Sequence, residues 1–203
     1  MELVFAGTWT SRVTKRRVQR PPQDLAMERY ARGDEAAFGE LYDAIAPRLY
    51  AFLLRQTRSE AAAKDVLQQT MLKIHLARGT FEEGAAVLPW AYAIARRLWI
   101  DSTRRVKREA PLDETREDAA DDPSPDDQAY AGELAARLQR ELAKLPENQR
   151  VAFQLVKQEE LSIAEAAAVL GTTESAVKLR AHRAYQTLRE ALGDLMPFKE
   201  EGA

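Results

Sequence analysis

No cysteine occurs anywhere in the 203 residues, and histidine is nearly absent, with only His75 and His182. Without thiols the chain can build neither a disulfide framework nor a thiolate metal site, which is compatible with a reducing cytoplasm. The phrases that announce common catalytic sites are missing as well: there is no G-x-S-x-G, no H-E-x-x-H, no P-loop and no G-x-G-x-x-G. A small helical enzyme would have little to work with, and His75, beside Leu76 in a helical pattern, reads as a packing or surface residue. Apolar runs are short, none reaching the ~18 residues that a membrane span needs. Nine glycines and nine prolines leave little scope for an all-β design full of turns.

What the chain does contain is alanine and charge, with 45% apolar and 31% charged residues, which reads as all-α and as two small helical domains. A net charge of −2 would argue against nucleic-acid binding if the charges were mixed, but they are segregated. Residues 1–23 read as a flexible basic arm, in which Arg12, Lys15, Arg16, Arg17 and Arg20 suit phosphates if the arm is more than a solvated tail. Its apolar residues precede its basic ones, the reverse of a secretory signal.

Residues 161–190, LSIAEAAAVLGTTESAVKLRAHRAYQTLRE, read as two helices joined by a tight turn. Ser162 with Glu165 makes a capping box, and Ile163, Ala166, Ala167 and Leu170 recur at helical spacing. Gly171 can take the positive φ of a helix end, and Thr172 or Thr173 can cap the second helix. In that second helix Val177, Ala181, Ala184 and Leu188 form the inner stripe. Ser175, Lys178, Leu179, His182 and Arg183 fall opposite, with Arg180 flanking. Such a basic face on a second helix can donate to guanine acceptors or phosphate oxygens in a major groove, where an ordinary solvated helix would have no ligand.

From Asp24 to Arg58 the pattern is helical, with Phe38, Leu41, Tyr42, Ile45, Leu49, Phe52 and Leu53 on one stripe, Asp34 as a cap and Pro47 as a point of kinking. Ser59 opens the next helix: Ala63, Val66, Leu67, Thr70, Met71 and Ile74 face inward, and Lys64, Asp65, Gln68, Gln69 and Lys73 face out. That amide- and carboxylate-rich face suits either solvent or a protein partner. Residues 80–86, TFEEGAA, break the periodicity and read as a loop. A helix comes after it with Pro89 in its first turn. Leu88, Tyr92, Ala95 and Trp99 share its inner stripe, and Trp90, Arg97, Asp101, Arg104, Arg105 and Arg108 share another, with Arg96 nearby. Between Tyr92 and Arg108 six cations face one acid, and an aromatic beside guanidinium groups is what unstacked single-stranded DNA requires. Tyr92 itself reads as core.

Residues 109–127 hold nine acids, one arginine and three prolines, a composition that cannot order itself by burying apolar surface. They read as an acidic flexible linker; Asp121, Asp122, Asp126 and Asp127 have no scaffold that would make them a metal cage. Helix resumes near Pro125, and Pro146 starts PENQRVAFQLVKQ, whose Val151, Phe153, Leu155 and Val156 should bury against the helix-turn-helix.

Four phrases, DEAAFGELYDAIAPRLYAFLLR, AAKDVLQQTMLKIHLARGTFE, LPWAYAIARRLWIDSTRR and LAKLPENQRVAFQLVKQEELSIAEAAAVLGTTESAVKLRAHRAYQTLRE, stand one after another in the order of a known family. The chain resembles an extracytoplasmic-function, or group IV, sigma factor of the sigma-70 family over about residues 24–192. The resemblance implies region 2 at 24–108, region 4 at 128–192 and a tail at 193–203 too short for a further domain. It implies docking on core RNA polymerase, its β and β′ subunits, through Asp65, Val66, Gln68 and Gln69. For the −10 element it implies capture of a flipped base by the loop with Thr80, Phe81 and Glu82, and contacts from Trp90, Arg96, Arg97, Arg104 and Arg105. For the −35 element it implies Thr173, Ser175, Lys178, Leu179, Arg180, His182 and Arg183.

The chain departs from the family phrase at Arg97, where an asparagine is usual, and in Gln68-Gln69-Thr70, which lacks the usual glutamate. The resemblance further implies a cytoplasmic transcription initiation factor, not an enzyme, with no cofactor or metal and no membrane insertion. It would be a monomer when free, binding duplex and single-stranded promoter DNA with polymerase and restrained by an anti-sigma factor. A stand-alone helix-turn-helix regulator would instead dimerise on two half-sites.

Overall fold

The computed structural model describes residues 20–109 and 129–193. Residues 1–19 of the expected arm 1–23, residues 110–127 of the expected linker 109–127 and residues 194–203 of the tail lie outside the described residues; Pro22 and Gln23, expected in the flexible arm, and Glu109, expected in the linker, are instead helical. The chain divides into two compact units, Met1–Pro111 and Leu112–Ala203. Among the described residues every regular element is helical, and no helix is long and apolar enough to cross a membrane.

In the first unit, α1 (Pro22–Ala31) and α2 (Ala37–Thr57) replace the single helical stretch that the periodicity suggests. Gly33, at φ +100°, turns the chain between them. Asp34 does not cap α2 with its side chain: Ala36 holds the N-cap position without a side-chain bond, while the Asp34 carbonyl accepts from Ala37 N–H and its carboxylate faces Arg29 at 3.6 Å. Leu41, Ile45, Leu49, Phe52 and Leu53 are fully buried, whereas Tyr42 stands 42% exposed on the flank of the stripe. Helix α2 runs through Pro47. Pro47 and Asp43 both lie on the exposed side of the helix, where the proline removes the N–H that would have paired with the Asp43 carbonyl.

Ser59 caps α3 (Glu60–Ala77), its hydroxyl oxygen accepting from Ala62 N–H. Ala63, Val66, Thr70, Met71 and Ile74 are buried as expected, and Leu67 is half-buried. Thr70 is fully inside the core because its hydroxyl donates to the Val66 carbonyl at 2.7 Å, leaving no unmet donor. A 3-10 turn at Arg78–Thr80 leads through the loop to α4 (Val87–Glu109). Leu88, Tyr92, Ala95 and Trp99 form its buried stripe, and the Tyr92 ring meets Phe52 edge-on at 5.2 Å. Each such fully buried large side chain contributes about 1.5–3 kcal/mol, which is why the stripe dictates how α4 rolls. Its remaining surface is thereby fixed to face outward.

The second unit holds α5 (Ala129–Lys144), α6 (Glu147–Phe153), α7 (Ile163–Leu170) and α8 (Glu174–Leu192). Leu142, Leu145, Phe153, Ala184 and Leu188 form a core cluster that Leu138 and Tyr185 flank. The helix expected to run on to Gln158 ends at Phe153 as α-helix and continues as a π-helical turn over Gln154–Gln158. Val151, Phe153 and Leu155 are buried, while Val156 is only half-buried.

The capping box of α7 is complete. Ser162 Oγ accepts from Glu165 N–H at 3.2 Å and Glu165 Oε2 accepts from Ser162 N–H at 2.8 Å. Gly171 ends α7 at φ +61°, where a side chain would be strained, and Thr173 caps α8 by accepting from Ala176 N–H at 3.2 Å. Between them lies the tight turn.

Candidate nucleic-acid interface

Helix α8 packs through Val177, Ala184 and Leu188, all fully buried, with Ala181 half-buried at the edge of the stripe. This packing puts Ser175, Lys178, His182 and Arg183 on the exposed side together with Leu179, which is 49% exposed; Arg180 is half-buried beside them. Among the described residues no carboxylate pairs with Lys178 or Arg183. Thr173 spends its oxygen on the cap and keeps its hydroxyl hydrogen for an outside acceptor. Five of the six other expected side chains thus share the exposed side of α8, with Arg180 at its edge, and a second helix so arranged can enter a major groove.

In the first unit the loop and α4 meet through aromatics. Phe81 and Trp90 lie with ring centroids 5.3 Å apart at 55°, and both are half-buried. Thr80 Oγ1 donates back to the Ala77 carbonyl at 2.8 Å, which closes the 3-10 turn, and Glu82 is exposed. Arg97, Arg104, Arg105 and Arg108 are exposed on α4 and Arg96 is half-buried, so the cationic face keeps clear of the Tyr92 stripe.

Two buried carboxylates on α1, one helical turn apart, hold this loop in place, and sequence reasoning missed both. Asp24 Oδ1 accepts from Val87 N–H at 2.9 Å and so caps the start of α4 from another helix. Glu28 Oε1 accepts from Gly84 N–H at 2.6 Å and from Arg20 Nη1 at 2.6 Å. Burial acts to raise the Glu28 pKa, but the Gly84 amide, the hydrogen bond and charge of Arg20 and the charge of Arg32 outweigh it and hold the carboxyl below its ordinary range. Arg20, expected to reach for phosphates, is therefore engaged within the protein. No spacing in the sequence ties these two acids to the Gly84 and Val87 amides, which lie 56 and 63 residues further along the chain.

On α3, Asp65 and Gln68 are exposed and Gln69 is half-buried, its amide donating to Asp65 Oδ2 at 2.9 Å. Val66 is 2% exposed because it belongs to the inner stripe with Ala63 and Thr70, so its side chain cannot present itself to a partner. Instead the same outer face continues through Leu72 and Leu76, which are 55% and 66% exposed. His75, beside them, is half-buried and bonds the Tyr30 hydroxyl through Nδ1, with Arg78 stacked over the Tyr30 ring. That network belongs to the packing of α1 on α3.

Residues 41–109 match sigma-70 region 2 and residues 135–188 match sigma-70 region 4. The chain is 39% identical over 171 residues to the RNA polymerase sigma factor CarQ of Myxococcus xanthus, covering 83% of this chain and 97% of that protein. It is 36% identical over 164 residues to the ECF RNA polymerase sigma factor SigF of Caulobacter vibrioides, covering 79% and 88% respectively. Among solved structures, the sigma factor RpoE of Bartonella quintana, in complex with the anti-sigma factor NepR, shares its fold with a TM-score of 0.62 at 24% identity. That likeness covers 78% of this chain and 98% of that one.

Proposed function

From the premise that the chain belongs to the extracytoplasmic-function sigma factors of the sigma-70 family, promoter-recognising subunits of RNA polymerase and not enzymes, we propose how its surfaces divide that work. Residues 24–108 act as the region that docks on polymerase and handles the −10 element. Residues 128–192 act as the −35 module, and the acidic stretch 109–127 tethers them. The outer face of α3, with Asp65, Gln68, Gln69 and the exposed leucines 72 and 76, is the docking face for the β′ subunit. Apolar side chains left in water beside hydrogen-bonding amides are the composition of a protein interface core and rim.

Promoter opening then rests on stacking and charge. A base leaving the duplex loses its neighbours, and the Phe81–Trp90 pair with the loop Thr80–Ala86 offers a replacement surface. Arg97, Arg104 and Arg105 track the phosphates beside it. Upstream, α8 enters the major groove of the −35 duplex, where Ser175, Lys178, His182 and Arg183 reach base edges or phosphates and Leu179 makes an apolar contact. Neither unit alone binds strongly, because few cations face DNA and the whole chain carries a net −2. Polymerase supplies the remaining affinity.

The observation that carries this reading is the presence of both region 2 and region 4 matches in one chain, in that order. A lone helix-turn-helix regulator needs only the second. The protein would work in the cytoplasm. An anti-sigma protein, the kind of partner present in the solved Bartonella complex, would hold this chain inactive by covering the same faces. The test is to reconstitute the chain with core polymerase and run off transcripts from upstream regions of its own genome. Specific starts that need the chain support the reading, and none in the absence of any inhibitor would refute it.

A further inference from the structure

We infer that Glu28, seconded by Asp24, is a positioning residue that sets which base the loop Thr80–Ala86 accepts, an inference that rests on the loop's reading as a base-capturing segment. Glu28 is 6% exposed and cannot itself meet DNA, so any influence runs through what it holds. What it holds is the middle of the loop: its Oε1 takes the Gly84 amide at 2.6 Å across 56 residues of chain, and Asp24 takes the amide of Val87, three residues on, at 2.9 Å.

Within the loop the only other backbone fastenings among the described residues are Phe81 N–H to the Arg78 carbonyl and Ala85 N–H to the Glu82 carbonyl. These are local and close small turns without fixing the loop against the rest of the unit. On the far side Phe81 rests on Trp90, and the exposed pair Arg32–Glu83 at 3.6 Å is too solvated to hold much. The shape of the segment between Phe81 and Val87 is therefore set largely by two buried carboxylates on α1.

A charged acceptor suits this purpose better than an apolar contact, because an amide hydrogen bond fixes distance and direction together. Arg20 completes the arrangement by neutralising the buried charge at 2.6 Å, so the carboxylate stays ionised and keeps its grip. A pocket that discriminates bases by hydrogen bonds tolerates little displacement of its walls.

The test uses the full chain with core polymerase and a promoter panel carrying each of the four bases at every −10 position. Runoff transcription gives the ratio of the preferred base to the others, and core affinity is measured alongside. Glu28→Ala should lower that ratio about fivefold or more at the captured position, as a lost charge-assisted bond implies, with core affinity unchanged. Glu28→Gln keeps an oxygen for the Gly84 amide and should recover part of the ratio. A general loss of stability would reduce total transcript but leave the ratio alone. Wild-type ratios in both variants, whatever their output, would overturn the inference. Equal use of all four bases by the unaltered chain would overturn the reading of the loop itself, and the inference with it.

Discussion

Phe81 and Trp90 meet across the boundary between a loop and a helix, their rings 5.3 Å apart and tilted by 55°. Each ring is half-buried, so each keeps a face against its neighbour and part of a face in water. Trp90 is oriented by the Tyr92 stripe, which is locked in the core, and it passes that orientation to the loop.

Replacing Trp90 by Ala should therefore impair opening more than docking. The stacking surface is worth about 1–3 kcal/mol for one base, so melting should fall roughly tenfold or more while affinity for core polymerase holds. Permanganate reactivity of promoter thymines in the holoenzyme complex measures it; unchanged reactivity would remove Trp90 from the mechanism.

Lys178→Ala with Arg183→Ala should weaken holoenzyme binding to promoters and make it less dependent on salt. If both cations reach phosphates, the slope of log affinity against log salt falls by about two. An unchanged slope accompanied by altered −35 sequence preference would assign them to base edges instead.

Leu72→Asp places a charge on the outer face of α3 where water already reaches. Stability should change by less than about 0.5 kcal/mol, since the site is exposed and away from the core. Affinity for core polymerase should drop about tenfold or more, as for a central interface residue. Pull-down titration against core enzyme, with thermal melting as control, separates the two effects.

Glu28 gives a pH dependence of definite sign. Its carboxyl titrates below the ordinary value of 4.5 when folded, so the folded chain binds that proton less tightly than the unfolded one. The resulting stability is present above the unfolded value and is lost as pH falls through the folded one. Urea denaturation from neutral pH into the acid range should show wild type and Glu28→Gln converging as the carboxylate is protonated. A gap that stayed constant would deny the bond its charge.

Local signals in the chain were legible where one short stretch contains both halves of an interaction. Ser162 and Glu165 satisfy each other within four residues, and Gly171 needs only its own backbone, so both could be read before any fold was known. The inner stripes of α3, α4 and α8 were equally plain, because burial follows helical spacing. Asp24 and Glu28 were not legible: their partners lie at Val87 and Gly84, and nothing in the spacing of α1 points there. Tyr42, on the inner stripe by spacing, stands exposed at its flank, and Val66, which the spacing turns inward, is buried there and not on the outer face where the resemblance implies docking. The π-helical turn at Gln154–Gln158 leaves the apolar pattern of its segment intact, and so left no mark on the periodicity.

Helix α1 spans Pro22–Ala31, ahead of residue 41 where the region 2 match begins. A fragment cut at that match would keep the loop, the aromatic pair and the whole of α4, yet discard the two carboxylates that fasten them. Anyone dissecting this protein by family boundaries would obtain a piece that carries the residues proposed for the −10 element but lacks both acceptors that tie the Gly84 and Val87 amides to α1.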